Sequence, residues 1–493
     1  QLTTISEEVS EIMKLPVKTG PPKNMNSWKP WFSHLLNLAS PIHLLSHAVC
    51  SAAYDDFRKK IFSSDDFHNC LHMVHPVPLA TALAGADGVY GIDALNLQTS
   101  SGWPFNRPKT DYIFFSDDPV EGITRPLELD EAILREIERI EQCFANGLRA
   151  NTVFRNNLKD EATNLDKDKV RVFAGCPVAF SIVVRKYSLG ICRLIMNNPK
   201  LFECAVGINC CGPAWTKMAS DFLDNGEHFI AGDYKAFDST MSVAMMLFAF
   251  QLFVDIAEAS GSYDQRELMM LKGIATEICY PIYEYNGDYV QASGSNPSGQ
   301  PLTVFVNNFV NSLYERYAFK VIYPSSDRLF HEYVVAYNFG DDNMMSVSDE
   351  APLFNHTSMQ KVLADVGITY TMADKLAESI PYVTFDECTF LKRRWRWDDE
   401  LQHYAAPIAE DSIGKMLHTV VKSRVISPTQ QSVEVIQCAN LEYFQYGREI
   451  FNVRHEQLID VAKQTGIFPL LGVGFKTYDE IFDQQLELQA KVA

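Results

Sequence analysis

Residues 333–348 read YVVAYNFGDDNMMSVS, two apolar segments separated by a short polar turn. The β-branched and aromatic flanks and the intervening Gly-Asp pair are typical of a β-hairpin. Asp341 and Asp342 place two carboxylates side by side, and each raises the pKa of the other unless a cation lies between them. Hard divalent cations prefer such oxygen ligands. The pattern indicates either a metal site or an ordinary solvated turn.

The 493-residue chain has 47% hydrophobic and 21% charged residues, an ordinary globular composition. Its length predicts two to four lobes. The longest apolar run, Val243 to Ile256, is interrupted by Gln251 and Asp255, so we expect no transmembrane segment. Signal-peptide features are missing at the N-terminus, and the 11 cysteines are scattered. These features favour reduced thiols in a cytosol-like compartment.

The charge is unevenly distributed along the chain. The net charge of −19 argues against a nucleic-acid binder when it is taken as a whole. Residues 149–193, however, carry nine Lys or Arg against four Asp or Glu, and residues 392–396 mix cations with a tryptophan. An acidic exterior around a basic channel would explain both facts. A solvated charged face explains either basic cluster equally well.

A second candidate metal ligand follows an apolar stretch. Residues 228–232 predict a short strand that delivers Asp233 beside a glycine, a common way to hold a ligand on a rigid element. Asp238 lies where the chain turns toward a helix predicted from Met241 to Ala259. Alternatively, Asp238 only begins that helix.

Two further segments suggest contacts with a nucleotide. A Ser/Gly-rich loop over 292–301 precedes a helix that starts near Leu302, with Thr303, Asn307 and Asn311 on one face. That face suits sugar hydroxyls or a template backbone, or it is simply solvated. In residues 167–173 a predicted strand puts Lys169 and Arg171 on one face, where they suit a triphosphate. The alternative is an edge strand with ordinary surface charge.

The remaining segments predict packing elements and loops. Residues 127–148 predict an acidic helix with Leu129, Ile133, Ile137 and Ile140 on its apolar side. Residues 99–105 predict a loop, residues 388–395 a second hairpin, and the chain beyond residue 398 is mostly helical.

In this order and spacing, the motifs resemble the RNA-dependent RNA polymerases of picorna-like positive-strand RNA viruses, from roughly Thr99 to roughly Lys415. The resemblance implies an α+β fold, a closed right hand of fingers, palm and thumb in which an antiparallel palm sheet bears the Gly-Asp-Asp hairpin. The expected fingers are residues 1–192 and 252–290, the palm 193–251 and 291–397, and the thumb 398–493.

The resemblance also implies site residues. The catalytic set is Asp233, Asp341, Asp342 and Lys375, and its three aspartates are the expected metal ligands. The NTP-binding set is Lys159, Lys169, Arg171, Asp238, Ser298, Thr303 and Asn307. The RNA-binding set is Thr99, Ser100, Ser101, Gly102, Gly299, Leu391, Lys392 and Arg393.

The implied chemistry is two-metal-ion nucleotidyl transfer with Mg²⁺, for which Mn²⁺ can substitute. The implied partners are an RNA template and primer, NTPs, a genome-linked protein primer and other viral replication proteins. The implied location is the host cytoplasm, at viral replication complexes.

Two local departures from the family pattern stand out. Tyr337-Asn338-Phe339 precedes the Gly-Asp-Asp motif, and Gln300-Pro301-Leu302 puts larger residues in the Ser/Gly loop. They suggest an insect or other invertebrate virus of the iflavirus or dicistrovirus kind. Two alternative functions stay open. A reverse transcriptase usually has a bulky residue at the position of Asp238, and a catalytically inactive palm-fold RNA-binding protein would not need its aspartates.

Overall fold

The computed structural model describes residues 1–40, 44–168, 170–325, 327–423 and 425–492. The helices are α1 Ser6–Met13, α2 Lys29–Leu38, α3 His47–Phe62, α4 Asp65–Cys70, α5 Leu79–Ala84, α6 Glu131–Ala145, α7 Val178–Asn197, α8 Pro199–Phe202, α9 Pro213–Asn225, α10 Phe237–Thr240, α11 Val243–Ser260, α12 Gln265–Cys279, α13 Thr303–Ile322, α14 Phe330–Tyr333, α15 His356–Asp365, α16 Glu410–His418, α17 Pro428–Phe444, α18 Arg448–Gln464 and α19 Tyr478–Val492. The strands are β1 Thr19–Gly20, β2 Ile113–Phe115, β3 Leu127–Leu129, β4 Val153–Leu158, β5 Thr163–Asn164, β6 Val172–Gly175, β7 His228–Tyr234, β8 Ile282–Tyr285, β9 Asp288–Gln291, β10 Val334–Phe339, β11 Asp342–Val347, β12 Tyr370–Met372, β13 Arg396–Asp398 and β14 His403–Ala405.

The predicted hairpin is formed by β10 and β11. Their antiparallel pairing runs up to Phe339↔Asp342, so Gly340 and Asp341 alone make the turn. The hairpin belongs to a four-stranded antiparallel sheet with the order β10-β11-β7-β12, called the palm sheet below.

Strands β7 and β12 meet closely beside this hairpin. A Cβ atom on Gly232 of β7 would lie only 1.9 Å from the hydroxyl oxygen of Tyr370 on β12. Glycine is therefore required here to make room for the tyrosine. The predicted strand that delivers Asp233 is confirmed, and it includes Asp233 itself.

Helix α13 packs against the palm sheet through β10 and against the helices α3, α11 and α15. Every residue from Phe305 to Lys320 is buried, including the polar ones. A helix that is buried on all sides lies inside the core. The solvated-face interpretation of this helix is therefore wrong.

Helix α11, Val243–Ser260, is long and apolar enough by length and composition to cross a membrane. Half of its apolar window is buried inside the fold. A core helix of a folded domain meets the same criteria.

A second four-stranded sheet, in the order β6-β4-β8-β9, joins two distant parts of the chain. Strand β4 pairs antiparallel with β6 and parallel with β8. Strands from residues 153–175 and 282–291 therefore form one sheet, and all but residue 291 lie in the segments expected to form the fingers.

The C-terminal helices form a separate apolar core that includes the N-terminus of the chain. Val9 and Met13 of α1, together with Ile5 just before it, pack into the same cluster as Ile413 of α16 and Leu458 of α18. Farther along the N-terminal segment, β1 pairs with β5. The start of the chain therefore spans from the expected thumb to the expected fingers.

The expected domain boundaries do not coincide with the ends of structural elements. The boundary after residue 192 falls inside α7, the one after 251 inside α11, the one after 290 inside β9 and the one after 397 inside β13. In addition, α1 packs with the thumb helices rather than with the fingers. Continuous helices and strands run across the expected boundaries, and the boundaries stay predictions.

Three local predictions also differ from the structure. The acidic helix begins at Glu131, because Leu129 ends strand β3. The basic strand begins at Val172, so Arg171 precedes it, and Lys169 lies outside the described residues. The predicted second hairpin is only a tight turn, with a single bridge between Phe390 and Arg393.

A buried ion cluster connects α13 to α3. The fully buried Arg316 donates to Glu203 through Nη1 (2.7 Å) and Nη2 (2.8 Å), and to Asp56 through Nε (3.0 Å). Lys60 lies 2.8 Å from Glu203, and Lys320 lies 2.9 Å from Asp56. Burial disfavours the charge on Glu203, but Arg316 and Lys60 outweigh it and hold its pKa at about 2.

Glu315, next to the arginine in sequence, is in the opposite state. Its side chain is fully buried, and its Oε2 has no hydrogen-bond partner among the described residues. Burial and the nearby Glu203 charge raise the pKa of Glu315 well above its ordinary value. The surroundings therefore favour the neutral form of Glu315 and the ionised form of Glu203.

The two glutamates should respond differently to the same substitution. At pH 7.5 we expect Glu203→Gln to cost roughly 3 kcal/mol or more, because it leaves the Arg316 charge buried without its partner. Glu315→Gln should cost less than Glu203→Gln, because burial and the Glu203 charge already disfavour the charged form of Glu315. Urea denaturation of both variants measures the difference in stability loss, and equal losses would contradict the opposite directions of the two pKa shifts.

The contribution of Glu203 also has a defined pH window. Its pKa is lowered from the ordinary 4.5 to about 2. The stabilisation is therefore complete above pH 4.5 and is lost as the pH falls toward 2. The stability gap between wild type and Glu203→Gln should narrow over that interval in pH-dependent urea denaturation.

Candidate active site

The three predicted catalytic aspartates meet at one end of the palm sheet. Asp341 lies in the turn between β10 and β11, and Asp342 begins β11. The pairing of β11 with β7 ends at Asn343↔Gly232, one residue short of Asp342 and Asp233. Adjacent strands thus bring together carboxylates that are more than a hundred residues apart in sequence.

Two asparagines of α13 hold the turn from inside the protein. Asn308 Oδ1 accepts from the Gly340 N–H (2.6 Å), and Asn311 Nδ2 donates to the Gly340 carbonyl (3.0 Å). Asn308 Nδ2 also donates to the Asn338 carbonyl (3.0 Å). Gly340 has φ +66°, and a Cβ atom there would meet nothing within 4 Å. Its glycine is therefore required for the left-handed backbone of the turn and not for space.

A layer of buried hydroxyl and amide groups orients Asn311. Its Oδ1 accepts from the Tyr234 hydroxyl (3.1 Å) and from Asn343 Nδ2 (3.4 Å). The Tyr370 hydroxyl in turn donates to Asn343 Oδ1 (2.8 Å). With its oxygen engaged, Asn311 presents its nitrogen to the turn. The network connects β7, β11, β12 and α13, and so it fixes the turn relative to the whole palm sheet.

The carboxylates at this end of the sheet repel one another. Desolvation in the cleft and the Asp233 carboxylate raise the pKa of Asp341 to about 6. Burial, opposed by the Leu391 N–H and reinforced by Asp233, raises the pKa of Asp342 to about 7. Both shifts show that the site disfavours negative charge in the absence of a cation.

The donor set fits a hard divalent cation. Asp233 Oδ1 is buried and has no hydrogen-bond partner among the described residues. A cation between Asp233 and Asp341 would bind this oxygen and offset the repulsion. Within the described ranges, no three His, Cys, Asp or Glu side chains form a preformed metal cluster. In this conformation, Lys375 and Leu391 instead contact the aspartates.

Lys375 reaches the catalytic carboxylates directly. Its Nζ lies 2.7 Å from Asp233 Oδ2, and its side chain is 59% exposed. The loop that carries Lys375 follows β12, which pairs with β7. The structure therefore places the lysine beside Asp233.

Asp342 is held by the tight turn that follows Phe390. Leu391 and Lys392 both have positive φ, 56° and 59°. In this conformation the Leu391 N–H donates to Asp342 Oδ2 (2.7 Å). Lys392 is exposed. The turn thus restrains one oxygen of the second aspartate of the motif.

Arg393 is occupied by a contact with the thumb. Its Nη1 and Nη2 donate to the two carboxylate oxygens of Glu442 in α17, at 2.8 and 2.9 Å. Both side chains are largely buried. In this structure Arg393 is bound to α17, which belongs to the expected thumb, and its expected role in binding RNA has no support from its geometry.

Four residues of the expected NTP-binding set divide into two pairs: Asp238 with Asn307, and Ser298 with Thr303. Asn307 Nδ2 donates to Asp238 Oδ1 (2.6 Å), which brings two of them together. Burial raises the pKa of Asp238, although Asn307 and Arg171 act against the shift.

The other two residues brace the Ser/Gly loop. The Thr303 hydroxyl donates to the Gln300 carbonyl (2.8 Å). Ser298 Oγ accepts from the Ala174 N–H of β6 (3.2 Å). Both hydroxyls therefore hold the loop in this conformation.

Two of the three expected triphosphate ligands converge on one carboxylate. Lys159 Nζ lies 3.0 Å from Glu161 Oε2, and Arg171 Nη1 lies 3.5 Å from Glu161 Oε1. Both cations are substantially exposed. They could therefore exchange Glu161 for an anionic ligand. The third ligand, Lys169, lies outside the described residues.

The expected RNA-contacting loop is only partly accessible. Thr99 and Ser100 are exposed, whereas Ser101 and Gly102 are buried. The Ser101 hydroxyl accepts from the Arg107 N–H (3.2 Å) and so helps to close the loop. Gly299 of the second loop is exposed.

Sequence reasoning missed several residues that shape the site. Asn308 and Asn311 were visible as uncharged polar residues in an apolar helix, but their contacts with the Gly-Asp-Asp turn were not predicted. Glu442 gave no signal, because it is one of two acids in α17 and no local pattern reports its distant partner. Asn296 and Gln300 appeared only as loop residues.

Comparison with known proteins identifies the family. A family model described as viral RNA-dependent RNA polymerase matches residues 47–463. The replicase polyprotein of Drosophila C virus (strain EB) is 29% identical over 384 residues, 73% of this chain and 21% of the relative. The RNA1 polyprotein of Broad bean wilt virus 1 is 29% identical over 362 residues, 71% of this chain and 19% of the relative. The chain spans about a fifth of the length of these curated relatives.

A solved structure confirms the fold. The Sicinivirus 3Dpol RNA dependent RNA polymerase matches with a TM-score of 0.69, covering 88% of this chain and 89% of that chain, at 17% sequence identity. The predicted α+β right-hand architecture is therefore correct. Together with the match over residues 47–463, these observations show that the chain belongs to the viral RNA-dependent RNA polymerase family.

Proposed function

We propose that this chain extends an RNA primer on an RNA template by template-directed addition of nucleotides from NTPs. The observation that carries this proposal is the convergence of Asp233, Asp341 and Lys375. Asp233 lies on β7, and Asp341 lies in the turn that leads into the neighbouring β11. One Asp233 oxygen has no hydrogen-bond partner among the described residues, and the lysine lies 2.7 Å from the other oxygen. An ordinary solvated turn would not be expected to have a second carboxylate beside it and a lysine ammonium in contact with that carboxylate.

The expected cofactor is a pair of Mg²⁺ ions, for which Mn²⁺ can substitute. Asp233 and Asp341 would hold the ions, and Asp342 would be a weaker ligand because Leu391 occupies one of its oxygens. When bound, such ions stabilise both the attacking and the leaving oxygen of an in-line displacement. Mg²⁺ suits a site with few carboxylates, because it retains waters and binds substrate phosphates.

The protein side chains have separate roles in the proposed reaction. Asn308 and Asn311 keep the Gly340–Asp341 turn fixed, so the site needs little rearrangement as the reaction proceeds. Lys375 would donate a proton to the departing pyrophosphate. Lys159, Lys169 and Arg171 would hold the triphosphate, with Lys and Arg cations matched to phosphate oxygens.

The ribose contacts favour RNA over DNA synthesis. Asp238 with its Asn307 hydrogen bond presents a polar pair where a reverse transcriptase usually has a bulky side chain. A polar pair can bind a 2′-hydroxyl, the group that distinguishes RNA from DNA. The inactive-protein alternative is disfavoured, because the aspartates and Lys375 are all present at the site.

Membership in the family supports further proposals about RNA contacts, initiation, partners and location. Thr99, Ser100, Gly299 and Lys392 are the accessible candidates for contacts with template or primer. Initiation from a genome-linked protein primer, association with other viral replication proteins, and location at replication complexes in the host cytoplasm are proposed on the same basis. An origin in an invertebrate virus is proposed too, although the relatives at 29% identity include both Drosophila C virus and Broad bean wilt virus 1.

Asp341→Asn removes one carboxylate but keeps the shape of the side chain. We expect single-nucleotide addition to fall by at least about 10³-fold, the scale of losing a group that acts on the transition state. Binding of primed RNA, measured by fluorescence anisotropy, should be retained. Asp349→Asn, at the exposed far end of the same hairpin, is the matched control and should retain full activity. Near-normal elongation by Asp341→Asn would refute the metal-ligand assignment.

The same substitution should not weaken the fold. The pKa of Asp341 is raised from 3.8 to about 6. Ionisation of Asp341 therefore lowers the stability of the fold increasingly as the pH rises above 3.8, and the full effect is present above pH 6. In the presence of a chelator, the Tm of Asp341→Asn relative to wild type should therefore be higher at pH 8 than at pH 4. A relative Tm that falls with pH would contradict the electrostatic description of the site.

Lys375→Arg keeps the positive charge but replaces the lysine with a very poor acid. We expect the chemical step to slow by about 100-fold, the lower range for general acid catalysis, with NTP affinity maintained. Rapid-quench addition of one nucleotide measures the step. Lys235→Arg, at an exposed lysine two residues after Asp233, is the control. An unchanged rate in Lys375→Arg would mean that the lysine only screens charge.

A further inference from the structure

Three buried amides form a continuous hydrogen-bonded chain from the Ser/Gly loop to Asp238. The Leu302 N–H donates to Gln300 Oε1 (2.6 Å), and Gln300 Nε2 donates to Asn296 Oδ1 (3.1 Å). Asn296 Nδ2 donates to Asn307 Oδ1 (2.8 Å), and Asn307 Nδ2 donates to Asp238 Oδ1 (2.6 Å). The three amide residues are only 2 to 7% exposed, so water does not compete for these bonds.

Backbone groups fix the direction of this chain. A side-chain amide has one accepting oxygen and one donating nitrogen, so each amide can be inserted in two ways. The Leu302 N–H can only donate, and it therefore holds the oxygen of Gln300. Asn296 Nδ2 also donates to the Thr303 carbonyl (3.2 Å), which can only accept. Reversal of any one amide would set oxygen against oxygen or nitrogen against nitrogen in a buried site.

The direction determines what Asn307 presents at the ribose site. Asn307 Nδ2 uses one hydrogen on Asp238 Oδ1 and has a second hydrogen to donate. Asp238 has a second oxygen that can accept. A ribose 2′-hydroxyl can accept a hydrogen bond from Asn307 Nδ2 and donate one to the second oxygen of Asp238. A 2′-deoxyribose has no hydroxyl at this position and can form neither bond. If Asn307 were reversed, its oxygen would face the Asp238 carboxylate and repel it.

We infer that Asn296 and Gln300 are positioning residues for ribose selection: they hold the Asn307 amide with its nitrogen toward Asp238. The inference rests on the proposed function. It differs from a simple bracing of the loop, because bracing would affect ribose and deoxyribose nucleotides alike. Because Asn296 and Gln300 act only through Asn307, substitutions at these two residues should change only the discrimination between ribose and deoxyribose nucleotides.

The test is single-turnover addition of ATP and of 2′-dATP to a primed RNA template by the full chain with Mg²⁺. The ratio of kpol/Kd for the two nucleotides is the ribose discrimination. We expect Asn296→Ala to lower this ratio about tenfold, or about 1.4 kcal/mol, through a loss confined to ATP. Gln300→Met should lower it less, about threefold, because the Thr303 carbonyl still orients Asn296.

A double variant and a matched control make the result decisive. The double variant Asn296→Ala/Asn307→Ala should have the same ATP to 2′-dATP discrimination ratio as Asn307→Ala alone, because Asn296 acts through Asn307. Ser295→Ala is the control: it removes a buried hydrogen bond to the Tyr283 hydroxyl (2.7 Å) in the same loop but outside the amide chain. Its ratio should equal that of the wild type.

Equal losses for ATP and 2′-dATP in Asn296→Ala, or losses that multiply in the double variant, would overturn the inference while leaving the proposed function intact. A wild-type chain that adds no nucleotide would refute the proposed function itself. Gln300→Met interrupts the same chain of hydrogen-bonded amides at its other end. It therefore tests the inference if Asn296→Ala does not fold.

Discussion

Two carboxylates of like charge, Asp233 and Asp341, have to be kept together at the end of the palm sheet, and much of the surrounding structure serves this requirement. Left free, such groups would move apart or take up protons, and the raised pKa of Asp341 reflects that tendency. Strand pairing fixes one aspartate relative to the other. The asparagines of α13 then fix the turn through both polar groups of the Gly340 backbone.

Helix α13 serves two parts of the site at once. Asn307 faces Asp238 and the expected ribose, while Asn308 and Asn311 face the Gly-Asp-Asp turn. The buried Arg316 cluster anchors the same helix to α3. Recognition of the sugar and placement of the metal-binding turn therefore share one rigid element. Buried polar networks of this kind specify a single arrangement when all their members are satisfied.

The sequence was informative where a pattern is local. The hairpin and the strand before Asp233 follow from short apolar runs and turn residues, and Lys375 follows from its order among the family motifs. Partners in distant segments could not be predicted, because no local pattern reports them. Arg393 was expected to bind RNA, but its partner Glu442 lies on a thumb helix. The expected domain boundaries after residues 192 and 251 fall inside α7 and α11, because no local pattern in the sequence reports where one lobe ends. The spacing of the polar residues in α13 predicted the correct helix face. Their burial could not be predicted, because it depends on how distant segments of the chain pack around the helix.

The most direct test of the central claim is the location of Mn²⁺ in crystals of the chain with primed RNA and a non-reactive ATP analogue, measured by anomalous scattering. We predict a peak bound by the carboxylates of both Asp233 and Asp341, with the Lys375 ammonium displaced from Asp233. A bound analogue with no anomalous peak between these two aspartates, or with the Lys375–Asp233 ion pair intact, would contradict the assignment of this turn as the catalytic centre.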